Sequence, residues 1–231
     1  PPSNSDILKI YRQLVVKKEI SQNKILERLL RRRDVRTLSG VAILTVLTKP
    51  YPCPGKCTYC PTEAIMPKSY LSREPAAARA LANKFDPYKQ IGARLTSLNV
   101  NGHPTDKIEL IVKGGTWNSY PWRYQKWFVR RCFEACNNFP ENKKTQKHKN
   151  KKTERKKLSL RAAQRTNEKS KHRIVGLTIE TRPDWVNAPE VARFRELGVT
   201  RVELGVQTTR EDILLRIKRG HGMREVAEAN E

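Results

Sequence analysis

Three closely spaced cysteines between residues 51 and 61 are the side chains whose chemistry the sequence indicates most directly. Cys53, Cys57 and Cys60 have the spacing C-x3-C-x2-C. A structural zinc site uses four protein ligands, whereas a cubic iron–sulfur cluster held by three thiolates keeps one iron free to bind a small molecule. The spacing therefore favours a [4Fe–4S] cluster with one open coordination position.

A cluster of this kind can reduce and cleave S-adenosylmethionine to give a carbon radical, so we predict that compound as the second cofactor. Tyr59, immediately before the last cysteine, is predicted to lie against its adenine. A zinc site completed by His103 or His148 remains an alternative. A disulfide framework is not favoured, because the chain has five cysteines, an odd number, and no apolar signal segment. We therefore expect thiolates in a reducing compartment, the cytoplasm.

The charge of the chain predicts a polyanionic partner. The 231 residues carry a formal net charge of +24, and nucleic acid is the usual partner of so basic a chain. Residues 142–173 hold fourteen Lys or Arg against two acids, and residues 1–40 hold ten against four. The Lys-rich insertion at 142–157 is predicted to be a weakly ordered arm that binds phosphates, with a solvated loop or a nuclear import signal as alternatives. No apolar run is long enough to predict a membrane span.

Strands that alternate with helices predict an α/β fold with a parallel sheet. Strands are expected at 41–48, 107–113, 173–180 and 200–206. Helices are expected at 74–85, 87–98, 122–137, 158–171, 189–197 and from 210 onward, with a break at 220–222. Residues 1–36 should form a basic helical extension of two helices, with Ser21 as the N-cap of the second. Four βα units in 37–231 cannot close a barrel, so we expect a partial (β/α) barrel with an open sheet.

Polar or glycine residues follow each predicted strand, at the edge where such barrels build their active sites. Gly114 and Gly115 would let the backbone approach the methionine amino group of the cofactor. Glu180 and Arg182 form an acid–base pair suited to an ammonium and a carboxylate. Gln207 can bond ribose hydroxyls. The alternative for Gly114 and Gly115 is a tight turn. The alternative for Glu180 and Arg182 is a surface salt bridge, and that for Gln207 is a helix cap.

For the two remaining cysteines and for His221, we expect structural rather than catalytic roles. Cys132 and Cys136 are one helical turn apart and are expected to be buried core thiols. His221 is expected in a turn. The tryptophans at 117, 122 and 127 could stack on bases or line the core, and we leave them unassigned.

A series of ordered sequence blocks resembles one known family, the radical S-adenosylmethionine domain of the Elongator catalytic subunit, of the prokaryotic type. This family carboxymethylates the wobble uridine of tRNA. The blocks are RTLSG at 36–40, TKPYPCPGKCTYCP at 48–61, FDPY at 85–88, GHPTDKIE at 102–109, GGT at 114–116, GLTIETRPD at 176–184 and RVELGVQ at 201–207.

The resemblance implies a [4Fe–4S] cluster on the three loop cysteines. It also implies a 5′-deoxyadenosyl radical that takes hydrogen from the methyl group of acetyl-CoA, and addition of the product to C5 of the wobble uridine in the anticodon stem-loop. Lys107 falls in the block whose lysine contacts acetyl-CoA. The extension at 1–36 resembles the tRNA-binding extension of the family.

The family's acetyltransferase domain is absent from this chain. We therefore expect a fragment with little activity alone, completed by that domain or by other Elongator-like subunits. An RNA-binding module with an iron–sulfur or zinc site and no catalysis remains the alternative. A radical methylthiotransferase does not fit, because its second cluster needs three more cysteines and only two remain.

Overall fold

The computed structural model describes residues 2–139 and 158–231. The Lys-rich insertion at 142–157, with its predicted phosphate-binding arm, lies outside the described residues, as does His148. The strands are β1 (Ala42–Leu47), β2 (Lys107–Lys113), β3 (Arg173–Thr181) and β4 (Arg201–Leu204). The helices are α1 (Asn4–Val16), α2 (Lys24–Leu29), α3 (Pro75–Ala82), α4 (Pro87–Val100), α5 (Trp122–Asn138), α6 (Leu160–Glu168), α7 (Ala188–Leu197), α8 (Glu211–Arg216) and α9 (Met223–Glu228).

The four strands form one parallel sheet in the order β1-β2-β3-β4. Helices connect the strands, so the predicted α/β fold with an open, partial barrel is confirmed. Alternate residues of each strand face the helices, as the period of two requires. In β2, for example, Ile108, Leu110 and Val112 are buried on that face. The other face carries Lys113 and, on β3 and β4, Glu180 and Glu203.

The main core lies between the sheet and the helices α4 to α7. Apolar residues at helical spacing supply its helix side, since residues three or four apart share one face. Among the described residues, Phe128 of α5 is the largest side chain that is fully buried. A second, smaller cluster joins Leu47, Met66, Ala77 and Ala80. It packs the segment that follows β1 against α3 and so positions the cysteine loop.

The N-terminal extension begins with α1, which Ser3 caps through a capping box with Asp6. The helix buries Leu8 and Tyr11. The prediction that Ser21 caps α2 was wrong. Asn23 is the N-cap, and its Oδ1 accepts hydrogen bonds from the backbone amides of Ile25 and Leu26, each at 3.0 Å. An amide side chain one residue before the helix is well placed for this role.

Arginines attach the extension to the C-terminal end of α4. Arg12 donates to the backbone carbonyl of Asn99 at 2.6 Å, and Arg31 donates to that of Gly102 at 3.0 Å. The last carbonyls of a helix lack intrahelical partners and carry partial negative charge, so cations are favoured there. These bonds join the extension to the α/β unit. The domain boundary after residue 36 stays a prediction.

The C-terminal part of the described chain is helical with a break, as expected. The segment 217–222 separates α8 from α9 and contains Gly220, whose φ of 82° lies in the left-handed region that favours glycine. None of the described helices is long and apolar enough to cross a membrane.

Candidate cofactor site

The carboxyl ends of the strands surround a cavity of about 500 Å³. The lining includes all three loop cysteines and most of the predicted cofactor-binding residues. From the predicted set, the cavity is lined by Cys53, Cys57, Tyr59, Cys60, Gly115, Glu180, Arg182 and Gln207. Parallel strands present their carboxyl ends at one edge of the sheet, which explains why residues far apart in sequence meet here.

The cysteine loop belongs to the segment 48–74, which contains no helix or strand. All three cysteines are free thiols and partly exposed. The backbone amide of Thr58 donates to the carbonyl of Ile217 at 3.0 Å, which joins the loop to the α8–α9 connection. The amide of Ser69 donates to the carbonyl of Pro61 at 3.2 Å. The loop is therefore held by a few specific bonds and by the packing of Met66.

Two buried arginines flank the cysteine loop. Arg182 is 5% exposed and donates twice to Asp184, at 2.8 and 2.7 Å. Its remaining Nη1 is buried without a hydrogen-bond partner among the described residues. A Cβ at Gly55 would collide with this nitrogen, so the glycine makes room for the guanidinium.

Arg219 is the second of these arginines and is 7% exposed. It donates to Cys57 Sγ at 3.4 Å, to His221 Nε2 at 2.9 Å and to the carbonyl of Gly205. His221 lies in the connection between α8 and α9 and is buried against Arg219. The arginine therefore connects the cysteine loop to the end of β4.

These arginines determine the electrostatics of the central thiol. Burial raises the pKa of Cys57, but hydrogen bonds from Arg219 and Tyr59 and the charges of Arg219 and Arg182 outweigh it, so the pKa lies below its ordinary value. Burial, together with the neighbouring thiols, raises the pKa of Tyr59 to about 12. The loop thus holds a thiol disposed to ionise beside a neutral phenol.

Glu180 and Arg182 do not pair with each other, so the alternative of a salt bridge between them is wrong. Glu180 forms an ion pair with Lys113 and accepts from the hydroxyl of Tyr70 at 2.6 Å. Lys113 Nζ also lies 3.7 Å from a carboxylate oxygen of Glu203. Arg182 follows the end of β3 and pairs with Asp184. The roles of Glu180 and Arg182 toward the ammonium and carboxylate of the cofactor stay predictions. Burial and the Glu180 charge raise the pKa of Tyr70.

The two glycines after β2 have different surroundings. Gly114 has a φ of 144°, and a Cβ there would collide with the hydroxyl of Thr48 at the end of β1. Gly115 has a φ of 92° and lines the cavity. Close packing of the strand ends requires the first glycine, whereas the second leaves its backbone open to a ligand. Gln207, with a φ of 75°, also lines the cavity.

Lys107 does not join this site. It begins β2, whereas the cavity lies beyond the end of that strand, about 20 Å away at about 3.3 Å per residue. His103, the candidate zinc ligand that lies within the described residues, is also outside the cavity. Its Nδ1 forms a hydrogen bond with Thr37 Oγ1 at 3.0 Å. The predicted contact of Lys107 with acetyl-CoA stays a prediction, without support from the cavity.

The remaining candidates have structural positions. Cys132 and Cys136 are buried in the main core, as predicted. Burial raises the pKa of the Cys132 thiol and raises that of Cys136 to about 12. Trp117 is buried, Trp122 packs partly against the core and Trp127 is 37% exposed. None of the three tryptophans lines the cavity.

The donor set fits an iron–sulfur cluster better than a single metal ion. Among residues 2–139 and 158–231, no three His, Cys, Asp or Glu side chains converge on one ion. The ligands of a cubic cluster bind three different irons, so they must be spread around it rather than meet at a point. Cys53, Cys57 and Cys60 all line one open cavity.

A parallel α/β sheet with three cysteines directly after its first strand defines a class of protein. The family model for the Radical SAM superfamily matches residues 51–231. The chain therefore belongs to the radical SAM superfamily.

Relatives of known name extend this assignment. A tRNA uridine(34) acetyltransferase from Methanocaldococcus infernus is 44% identical over 236 residues, which cover all of this chain and 40% of the relative. The protein of the same name from Dehalococcoides mccartyi is 45% identical over 84% of the chain and 39% of its own length. Human Elongator complex protein 3 is 32% identical over 89% of the chain and 37% of its own length. The chain thus spans about two fifths of these relatives.

A solved structure agrees with the sequence relatives. It is the archaeal Elp3 of Methanocaldococcus infernus with an N-terminal deletion, and it is 38% identical to the chain. The match has a TM-score of 0.61 and covers 82% of this chain and 34% of that one. The predicted resemblance to the Elongator catalytic family is confirmed.

Sequence reasoning missed three residues of the site, Tyr70, Lys113 and Arg219. Lys113 had a usable signal, because it ends β2 directly before the two glycines. Arg219 lies in the motif Arg-Gly-His-Gly, where the glycines indicated only a turn. Tyr70 had no signal of its own, since its contact with Glu180 joins residues 110 positions apart.

Proposed function

We propose that this chain is the radical-generating part of an enzyme that modifies the wobble uridine of tRNA, as its relatives' names indicate. One observation carries the proposal. The cysteine loop and the ends of β2, β3 and β4 open into a single cavity of about 500 Å³. That volume is within the usual range for sites of small organic ligands.

Cys53, Cys57 and Cys60 would hold a [4Fe–4S] cluster, and the remainder of the cavity would take S-adenosylmethionine. With both bound, the pair supplies a 5′-deoxyadenosyl radical. Tyr59 and Gly115 line the space for the adenine and the methionine end, respectively, and Gln207 presents an amide for ribose hydroxyls. Glu180 offers a carboxylate for the methionine ammonium.

The protein's own residues prepare the site for an anionic cluster. Arg219 donates a hydrogen bond to Cys57 Sγ. Arg182 adds a second buried guanidinium, whose Nη1 has no hydrogen-bond partner among the described residues. Hydrogen bonds to cluster sulfurs and local charge are the features by which proteins adjust a cluster's potential. Lys113 and Tyr70 fix the Glu180 carboxylate, so it needs little reorientation when a cofactor binds.

The proposal includes tRNA, through its anticodon stem-loop, and acetyl-CoA as co-substrate. Support for acetyl-CoA comes from the acetyltransferase names of the archaeal relatives, and Lys107 is its proposed contact. We further propose that an acetyltransferase domain or other Elongator-like subunits complete the enzyme. The cytoplasm, where thiols stay reduced, is the proposed compartment.

Anaerobic reconstitution with iron and sulfide tests the cofactor site. We expect brown protein with about four irons per chain, and 5′-deoxyadenosine on addition of reductant and S-adenosylmethionine. Cys57→Ala should lose the cluster. Cys136→Ala is the matched control, because that cysteine lies in the core, and it should retain both iron and colour.

Colourless protein that binds a single zinc ion would contradict the radical function and favour an RNA-binding module. Equal iron content in the two variants would show that Cys57 is not a ligand. The RNA part is tested separately, by binding of a tRNA transcript, which the basic charge predicts to weaken steeply with salt.

A further inference from the structure

The three cysteine sulfurs of the cofactor loop are in hydrogen-bond contact with three different kinds of group. Cys53 Sγ accepts from the backbone amide of Gly55 at 3.4 Å, and Cys60 Sγ lies 2.7 Å from a serine hydroxyl oxygen. Cys57 Sγ accepts from Arg219 Nη1 at 3.4 Å. Among the described residues, Cys57 is therefore the loop cysteine whose sulfur has a charged donor.

All three nitrogens of the Arg219 guanidinium have a partner, so the orientation of this group is fixed. Nη1 donates to Cys57 Sγ, Nη2 donates to the carbonyl of Gly205, and Nε donates to His221 Nε2 at 2.9 Å. A Cβ at Gly205 would lie 2.8 Å from Nη2, so the glycine makes room for the guanidinium. Because a guanidinium is planar and its donors have fixed directions, a bond at one nitrogen restrains where the others point.

His221 is the residue that restrains Arg219 at Nε. An arginine has donors and no acceptor, so the ring nitrogen that it contacts must be the unprotonated one. The proton of the ring is then on Nδ1, which is buried without a hydrogen-bond partner among the described residues. A buried donor without a partner is costly and unusual in a folded protein. The contact with Arg219, rather than the other hydrogen bonds of the ring, therefore explains why a histidine lies here.

The backbone between α8 and α9 presents Arg219 and His221 together. Lys218 and Gly220, on either side of Arg219, have φ values of 53° and 82°, both in the left-handed region. The amide of Arg219 donates to a carbonyl of α8 at 2.9 Å. A lysine keeps such a conformation where the surrounding contacts determine it. The turn therefore holds the two side chains in one arrangement against the cysteine loop.

We propose that His221 is a positioning residue, which acts through Arg219 to raise the reduction potential of a cluster on the loop cysteines. One electron from an external reductant adds one negative charge to such a cluster, and a positive charge held at a ligand sulfur favours the reduced form. His221 keeps that charge directed at Cys57, as outer partners of metal sites orient the groups nearer the metal. The inference rests on the proposed function for the presence of the cluster.

The reduction potential of the reconstituted protein tests this proposal, measured by an anaerobic reductive titration followed by electron paramagnetic resonance. His221→Gln carries an amide oxygen that reaches the place of Nε2, whereas the shorter side chain of His221→Asn does not. We expect His221→Asn to lower the ratio of reduced to oxidised cluster at a fixed potential about tenfold, which is about 59 mV for one electron. His221→Gln should stay within about threefold of the wild type.

The matched control is His103→Gln, which removes a buried histidine that does not line the cavity. It should leave the potential unchanged. A shift in this control as large as that in His221→Asn would overturn the proposal, because the loss of any buried histidine would then have the same effect.

Equal potentials in His221→Asn and His221→Gln would also overturn the proposal, since the acceptor at the place of Nε2 would then not matter. Loss of the cluster from both variants would assign His221 to the integrity of the site and not to its potential. Loss from His221→Asn alone would support the need for the acceptor. Failure of the wild type to take up iron would contradict the proposed function itself, and the inference would fall with it.

Nitrogen NMR of metal-free protein labelled with ¹⁵N-histidine supplies a measurement that needs no cluster. At about pH 8, where an ordinary histidine is neutral, we expect the proton of His221 on Nδ1 and none on Nε2. The signals are assigned by their absence from His221→Gln. In Arg219→Met the preference for this tautomer should be lost. A proton on Nε2 in the wild type would overturn the proposal, because that nitrogen could not then accept from Arg219.

Discussion

The two ends of the parallel sheet both concentrate arginines, and they use them in opposite ways. At the cofactor end, Arg182 bonds Asp184, and Arg219 bonds a carbonyl, a histidine and a cysteine sulfur. At the other end, where the N-terminal extension meets α4, Arg32, Arg33, Arg36 and Arg94 line a pocket without a hydrogen-bond partner for their guanidinium groups among the described residues. The arginines of the cofactor end are therefore held in place by specific bonds, whereas those of the other end are not.

A small cofactor needs a site with fixed geometry, because misplacement of its reacting atoms is costly. Glycines at the cofactor end allow close packing. A Cβ at Gly55, Gly114 or Gly205 would meet close neighbours, whereas one at Gly92, inside α4, would meet nothing within 4 Å.

The largest expected effect comes from adding one methyl group at each of two glycines, Gly114 at a packed strand end and Gly92 on an open face of α4. Gly114→Ala should lower the free energy of unfolding by about 3 kcal/mol, because the new Cβ collides with Thr48 and the φ of 144° disfavours alanine. Gly92→Ala should instead raise it by about 0.5–1 kcal/mol, since alanine is favoured inside a helix and has space. Urea unfolding measures both.

Opposite signs for these two variants would support the contrast between the packed strand end at Gly114 and the open face of α4 at Gly92. Gly40→Ala separates the two causes at Gly114, because its φ of 77° is also positive while a Cβ there meets nothing within 4 Å. A loss as large at Gly40 as at Gly114 would show that backbone conformation, rather than packing, dominates.

A smaller effect is expected from Arg219→Met. The change removes the donor for Gly205 and His221 and should lower the free energy of unfolding by about 1–3 kcal/mol, because buried acceptors lose their partner. The matched control is Arg216→Met, an exposed arginine one turn earlier, with an expected change below about 0.5 kcal/mol. Chemical denaturation compares them, and a similar change in both would mean that the cofactor end is not held by Arg219.

The smallest expected effect is a pH dependence at His103, which lies beside Arg36 and Arg94. Burial, then the charges of Arg31, Arg36 and Arg94, lower the pKa of His103 below its usual 6.5, against an opposing backbone bond. The unfolded chain thus takes up a proton that the folded chain resists, and stability falls as the pH drops through about 6.5.

Unfolding at pH 7.5 and 5.5 checks this, with His103→Gln as comparison. The wild type should lose up to about 1 kcal/mol more than the variant on acidification. A larger loss of stability on acidification in His103→Gln than in the wild type would contradict the lowered pKa of His103.

Element type was predictable because hydrophobic periodicity and turn residues act locally. All four strands were predicted within three residues of their observed bounds, and the three cysteines identified the site. The N-cap of α2 was misjudged because both Ser21 and Asn23 are good caps, and only the helix position distinguishes them. The capped helix is short, so little else in the sequence fixed its start.

Partners of charged residues could not be predicted in the same way. Glu180 and Arg182 are neighbours in sequence, yet Glu180 pairs across the sheet with Lys113 and Arg182 folds back on Asp184. Such choices depend on strand register and on which face each residue takes. The proximity of Arg36 to Arg94 was missed for the same reason, because the two residues come from segments about 60 residues apart.

Because Cys132 and Cys136 are buried, the number of cysteines that react with a thiol reagent reports whether the chain is folded. Thiol reagents attack accessible thiolates, and these two thiols are within the core with raised pKa values. Of the five free cysteines, three are partly exposed and two are buried. A colorimetric thiol titration would therefore read three groups in folded, metal-free protein and five after unfolding. The same assay thus reports separately whether the three loop cysteines hold a metal or cluster and whether the two core cysteines are still buried.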